Sequence, residues 1–277
     1  MIFKRIEIDP LNNVYMNCYL HEKVAEYNYG FDRPAVVVCP GGGYQICSPR
    51  EGDPVALQYL AEGYNAFVLY YTVGENAVFP KPLVDLSIAV KTIRANAVEW
   101  GVLSNKIAVL GFSAGGHLTT SLGVHWNLPE VMEKADCKNG ENQSNALILC
   151  YPVITTRSWM APHIDRLTGD RDPVQTEKLL DTSKNVGSHT PPSFLIHTFM
   201  DNCVSAQESM DFARALDDNN IPFELHIVPE GGHGMGLGNK ETNPSYSKWT
   251  ELSFLWLKKV FADEGKPDRT ARARQKN

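Results

Sequence analysis

Six short runs, at 35–39, 66–71, 107–111, 147–153, 194–198 and 223–228, are strand-like, and most are apolar at successive rather than alternate positions. A strand apolar on both faces must be covered on both faces, and a parallel sheet wrapped by helices provides that cover. The stretches between the runs carry the helical period. Leu83, Leu86, Val90, Ile93 and Ala97 recur in steps of three and four, and Trp249, Leu252, Trp256 and Val260 repeat the pattern near the end. The segments 2–8 and 15–21 read as an antiparallel pair extending one sheet edge. The expected fold is therefore α/β, a mostly parallel sheet of about eight strands with helices on both faces. We expect one domain over 1–265. A small cap is expected at about 155–192, where Pro162, Pro173, Pro191 and Pro192 break the rhythm, and a polar, disordered tail over 266–277.

Composition narrows the partners. The 277 residues carry a formal charge of −6, with 43% hydrophobic and 21% charged residues, as in an ordinary globular protein. Neither nucleic acid nor an anionic membrane is expected to bind such a chain. The opening MIFKRIEIDP places charges where a signal peptide needs its apolar stretch, so a cytoplasmic location is expected. Six cysteines are scattered without a C-x-x-C pair, and reduced thiols without a zinc site are the expectation.

The chemistry begins at Gly111-Phe112-Ser113-Ala114-Gly115, between an apolar strand run and a helix-forming stretch. This matches G-x-S-x-G, in which the serine occupies a tight strand-to-helix turn. Small neighbours let that turn close, and the nearby helix N-terminus favours developing negative charge at the hydroxyl. A helix-capping serine beside packing glycines is the alternative for the same letters. A serine nucleophile needs a base and a group to orient it, and in this arrangement they follow as acid, then histidine. Asp201 follows the run 194–198, and His233 follows the last run, inside Glu230-Gly231-Gly232-His233-Gly234-Met235-Gly236. His21, His197 and His226 fall within strand runs and His117 one turn behind Ser113, so structural roles are expected for them. His125, His163 and His189 lie in less regular sequence. Glu230 is too near His233 along the chain, and Asp170 and Asp172 belong to the cap.

Pro40-Gly41-Gly42-Gly43-Tyr44 follows the first of the six runs directly. Consecutive glycines can aim backbone N–H groups at an oxyanion, so Gly42 and Gly43 with Ala114 are the candidate hole. Phosphate binding is the competing use of such a loop, but neither phosphate-loop pattern is matched.

The order PGGGY, GFSAGGHL, HTFMDNCV and EGGHGM resembles the α/β-hydrolase fold esterases. More narrowly it resembles the carbohydrate-esterase branch that includes acetyl-xylan esterases. The likeness covers about residues 34–260, including REGDPVALQYLAEGYNAFVLYYTVG. It implies Ser113 as nucleophile, His233 as base, Asp201 as its orienter and an oxyanion hole from the PGGGY loop and Ala114. Pro40 stands where the hormone-sensitive-lipase branch opens its HGGG motif with histidine, which moves the expectation from lipase toward sugar ester. Val204 is followed by Ser205, where proline is typical of the family.

The implied reaction is hydrolysis of short acyl esters, above all acetyl esters of xylose-type or other small sugars, through an acyl-enzyme and without metal or organic cofactor. The implied partner is that small-molecule ester; assembly into a homo-oligomer is left open. Tyr44, Trp159 and His163 are expected to line the acyl or sugar pocket. Two rivals stand beside this reading. A prolyl-oligopeptidase-like peptidase shares the triad order but carries a gating domain too large for the stretch before the sheet. A binding protein on the same scaffold would follow if the His233 loop were misplaced.

Overall fold

The computed structural model describes residues 1–23, 32–156 and 167–262. Among them, eight strands form one sheet: β1 (Ile2–Asp9), β2 (Val14–Leu20), β3 (Arg33–Cys39), β4 (Asn65–Tyr70), β5 (Val102–Phe112), β6 (Ala146–Cys150), β7 (Ser193–Thr198) and β8 (Phe223–Val228). Their spatial order is β1-β2-β4-β3-β5-β6-β7-β8. β2 runs antiparallel to both β1 and β4, and every other neighbouring pair is parallel. The helices named below are α1 (Asp53–Ala61), α2 (Lys81–Ala95), α3 (Ala97–Trp100), α4 (Ser113–His125), α5 (Pro129–Lys134), α6 (Pro173–Leu180), α7 (Gln207–Asp218) and α8 (Trp249–Phe261).

The continuous apolar runs are explained by what covers them. In β3, Val37 and Cys39 pack with Leu86 and Val90 of α2 and Leu118 and Leu122 of α4. Their neighbours Val36 and Val38 point the other way, against Tyr59 of α1 and Trp249, Phe254 and Leu257 of α8. All five residues from Ala35 to Cys39 are fully buried. Each such valine contributes on the order of 1.5–3 kcal/mol relative to exposure, so a polar residue on either face of β3 would be costly. The mostly parallel sheet with helices on both faces is the architecture expected from the sequence.

β5 begins at Val102, five residues before the run at 107–111, and two further boundaries differ from the sequence reading for a local reason. The run 147–153 is strand only to Cys150, because Tyr151 takes a left-handed backbone (φ +38°) and Pro152 follows it. The helical period through Ala97 is also interrupted. α2 stops at Ala95, where the Asn96 side chain donates back to the Thr92 carbonyl at 2.8 Å, and Ala97 opens α3. Within 155–192, residues 157–166 lie outside the described residues, as does the tail 266–277. The C-terminal turn of α6 is fixed to α4: Leu179 and Leu180 carbonyls accept from His125 and His117 Nε2, both at 2.8 Å. No described helix is long and apolar enough to cross a membrane.

Parallel neighbours in register end together. The C-terminal ends of β3, β5, β7 and β8 therefore deliver four loops to one sheet edge, where sites of such sheets collect.

Candidate active site

Ser113 leaves β5 on a left-handed backbone, φ +51°, and opens α4. A non-glycine residue there carries strain, which a tight turn must hold from outside. The flanking glycines make room for it. A Cβ at position 111 would lie 2.1 Å from the Gly115 carbonyl oxygen, and one at 115 would lie 2.1 Å from that of Cys39. The small residues read from the pentapeptide are thus required by contact with backbone.

Asp201 sits in the turn after β7. Its Oδ1 accepts from the backbone N–H groups of Cys203 and Val204, both at 2.9 Å, which fixes the carboxylate plane. Its Oδ2 lies 2.7 Å from His233 Nδ1. A carboxylate bonded in this way accepts, so Nδ1 carries the imidazole proton and Nε2 is left to accept. Ser113 Oγ donates to that Nε2 at 2.8 Å. Burial works to raise the Asp201 pKa, but hydrogen bonds from His197, His233 and the Val204 N–H overcome it and hold the carboxyl well below the usual carboxylate range. The three side chains read from the sequence, Ser113, Asp201 and His233, are brought into one hydrogen-bonded chain. A hydroxyl, a neutral imidazole and an orienting carboxylate in that order can transfer an acyl group through serine.

The glycine loop faces the same place. Gly42 and Gly43 line a cleft of about 260 Å³ together with Ser113, His233 and Arg50. Inside the loop, the Gly41 carbonyl accepts from Ser48 N–H and the Gly42 carbonyl from Gln45 and Ile46 N–H. Among the described residues, no group accepts from the Gly42 or Gly43 N–H. Ala114, at the start of α4, has no intrahelical acceptor for its own N–H. A larger surface hollow of about 680 Å³, around Phe79, Lys81 and Arg171, shares no lining residue with this cleft. Among the described residues, no cluster of three or more His, Cys, Asp or Glu side chains is arranged to hold a metal ion.

Not every expected residue reaches the cleft. Tyr44, expected at the pocket, is turned inward by its own left-handed backbone (φ +57°). It is 2% exposed, with its hydroxyl 2.8 Å from His117 Nδ1. Because His117 Nε2 faces the Leu180 carbonyl, it bears the proton, and Tyr44 donates to Nδ1. Trp159 and His163 lie outside the described residues.

His197, expected in a structural role, supports the acid, while Arg50, Glu51 and Tyr151 were not anticipated at the site. His197 lies beneath the acid, with Nε2 2.9 Å from the Val204 carbonyl and 3.5 Å from Asp201 Oδ2. Arg50 borders the cleft with its guanidinium against Gly234, where a Cβ would come within 3.1 Å of Nη2. Glu51 is buried beside the glycine loop, and the Tyr151 ring lies 5.0 Å from that of His233. The run REGD offered a hint of Arg50 and Glu51; Tyr151 left none.

The BD-FAE family model matches residues 24–216. Endo-1,4-beta-xylanase B of Butyrivibrio fibrisolvens is 36% identical over 241 residues, covering 84% of this chain and 36% of that protein. Acetylxylan esterase of Xylanibacter ruminicola is 29% identical over 217 residues, covering 74% of this chain and 41% of that protein. The chain thus spans well under half the length of these curated relatives. The solved structure of an acetyl ester-xyloside bifunctional hydrolase from Caldicellulosiruptor lactoaceticus superposes with a TM-score of 0.79. It is 31% identical and covers 93% of this chain and 96% of that one. With more than half of its length matched by one family, and the expected sheet carrying the expected loops, this chain belongs to the BD-FAE family of α/β-hydrolase-fold esterases.

Proposed function

We propose that this chain hydrolyses short-chain carboxylic esters, in particular acetyl esters of xylose-type or other small sugars, by a serine acyl-enzyme mechanism. The observation that carries the reading is the unbroken relay from Ser113 Oγ through His233 to Asp201, at 2.8 and 2.7 Å. His233 Nε2 takes the hydroxyl proton as Ser113 Oγ attacks the ester carbonyl. The N–H groups of Gly42, Gly43 and Ala114 receive the oxyanion, each such donor being worth about 3 kcal/mol in the transition state. The imidazolium then protonates the leaving alcohol. Water then attacks the acyl carbonyl while giving a proton to the same nitrogen, and the imidazolium returns that proton to Ser113 Oγ as the acid leaves.

The substrate class rests on the cleft and on the relatives. About 260 Å³ suits a short acyl group, and Arg50 offers hydrogen-bond donors that a hydroxyl-rich alcohol can use. The names of an acetylxylan esterase and of an acetyl ester-xyloside hydrolase, both similar to this chain, support the same direction.

The test is a panel of acetyl, butyryl and octanoyl nitrophenyl esters beside acetylated xylo-oligosaccharides, with Ser113→Ala as control. The expected order is acetyl first and octanoyl last, with release of acetate from the oligosaccharides. Ser113→Ala should lose fluorophosphonate labelling and about 10⁴-fold or more of the activity. Octanoyl esters cleaved as well as acetyl esters would remove the sugar-deacetylase reading, and an unlabelled wild-type Ser113 would remove the serine mechanism.

A further inference from the structure

Glu51 is a carboxylate where carboxylates are rare, 2% exposed and with no salt bridge among the described residues. Isolating such a charge from water is costly unless hydrogen bonds compensate it. Its bonds lead to both halves of the site. Oε2 accepts from the Gly41 N–H at 2.9 Å, at the root of the glycine loop. Oε1 accepts from the Tyr151 hydroxyl at 2.7 Å, and that hydroxyl in turn accepts from the Gly236 N–H at 2.8 Å, in the loop that carries His233. Burial, with neighbouring Tyr246 and Glu51, pushes the Tyr151 phenol well above its usual value, so it stays protonated and donates. The Gly236 carbonyl is held as well, by Tyr246 Oη at 3.2 Å and Trp249 Nε1 at 3.1 Å.

The fit around these bonds is close. A Cβ on Gly41 would lie 2.8 Å from Glu51 Oε2 and 3.1 Å from Ser113 Cβ, so carboxylate, loop and nucleophile are in packing contact. Tyr151 keeps the left-handed backbone noted above, a conformation that a bulky side chain adopts only when its surroundings impose it. Its hydroxyl reaches Glu51 while its ring rests edge-on against His233.

We propose that Glu51 and Tyr151 are positioning residues for hydrolysis. One buried carboxylate sets the direction of the Gly42 and Gly43 N–H groups and, through Tyr151, holds the His233 loop over Ser113. Among the described residues, neither side chain hydrogen-bonds to Ser113 Oγ or His233 Nε2. This rests on the serine-esterase reading above, and it assigns the oxyanion loop and the base loop to a single anchor. A merely structural role would show as lost stability with turnover per active site unchanged.

The experiment compares wild type with Glu51→Gln, Tyr151→Phe and the double variant. Active sites are counted by fluorophosphonate titration, kcat and KM are measured on nitrophenyl acetate, and inhibition is measured with an arylboronic acid that forms a tetrahedral serine adduct. Tm is recorded alongside. We expect kcat per titrated site to fall about 10- to 100-fold in Glu51→Gln and about 10-fold in Tyr151→Phe, with KM within about 3-fold. Boronate affinity should fall in parallel with kcat. The double variant should be little worse than Glu51→Gln, because the two residues act through one network. Kcat and boronate affinity within about 2-fold of wild type, whatever Tm does, would overturn the proposal, as would an effect confined to KM. Should Glu51→Gln fail to fold, Tyr151→Phe, which removes one hydroxyl, decides alone. A wild-type protein that neither turns over nitrophenyl acetate nor takes the label would instead defeat the serine-esterase reading itself, a result distinct from active wild type with unimpaired variants.

Discussion

The proton on His233 Nδ1 is placed there by one oxygen of Asp201, and in the proposed mechanism the reactivity of Ser113 depends on that placement. Asp201→Asn keeps an acceptor for the Cys203 and Val204 N–H groups, so the turn should survive. The amide nitrogen then faces Nδ1 and donates to it, which forces the proton onto Nε2, opposite Ser113 Oγ. The base is lost although every atom stays in place. We expect kcat on nitrophenyl acetate to fall about 10³- to 10⁴-fold, with little change in KM. A fall of less than about tenfold would mean that another group orients His233. His197, 3.5 Å from the same oxygen and bonded more closely to the Val204 carbonyl and to Ser209 Oγ at 2.8 Å, braces the acid from below and does not substitute for it.

Elements rather than single side chains decide what a sequence reveals. The turn between β5 and α4 was legible because its requirements are local: a buried strand, a serine and two glycines within five residues. The glycines give a direct test. Gly111→Ala places a methyl 2.1 Å from the backbone oxygen of Gly115, and neither atom sits on a flexible side chain. The turn must deform, and we expect a loss of about 2–4 kcal/mol in urea unfolding together with most of the activity. Gly232 provides the contrast, since a Cβ there meets nothing within 4 Å, and Gly232→Ala should stay within about 0.5 kcal/mol of wild type. Equal destabilisation by both would show that the turn after β5 does not need its small residues. Tyr151 and Glu51 were opaque for the opposite reason. Their bond joins positions 100 apart in sequence, and the strand run into which Tyr151 was read ends one residue earlier. Tyr44 misled because adjacency to the glycine loop suggested the cleft, whereas its backbone angle sends the ring toward His117.

The whole molecule gathers these local choices into its response to acid, and two of its groups, His117 and Asp201, act in separate pH windows. His117, on α4, is sealed against the end of α6, and burial pulls its pKa down from 6.5 to about 4. The unfolded chain therefore binds a proton near pH 6.5 that the folded chain refuses until about pH 4. Stability from this group is complete above about pH 6.5 and is lost as pH falls toward 4, up to about 3 kcal/mol in all. His125 is shifted the same way by burial and adds to that slope. Asp201 acts lower down. Its folded pKa is depressed, so its contribution is full above the ordinary carboxylate value of 3.8 and disappears only below it, as the unfolded carboxyl takes up a proton first. Urea midpoints measured from pH 7 to pH 3 should thus fall in two stages. His117→Gln should make the upper fall shallower and leave the lower, while Asp201→Asn should do the reverse. A slope between pH 6.5 and 4 that His117→Gln leaves unchanged would mean that His117 is protonated in the folded protein. The bond from Tyr44 to its Nδ1 could not then exist as drawn, because a protonated imidazole has no nitrogen left to accept it.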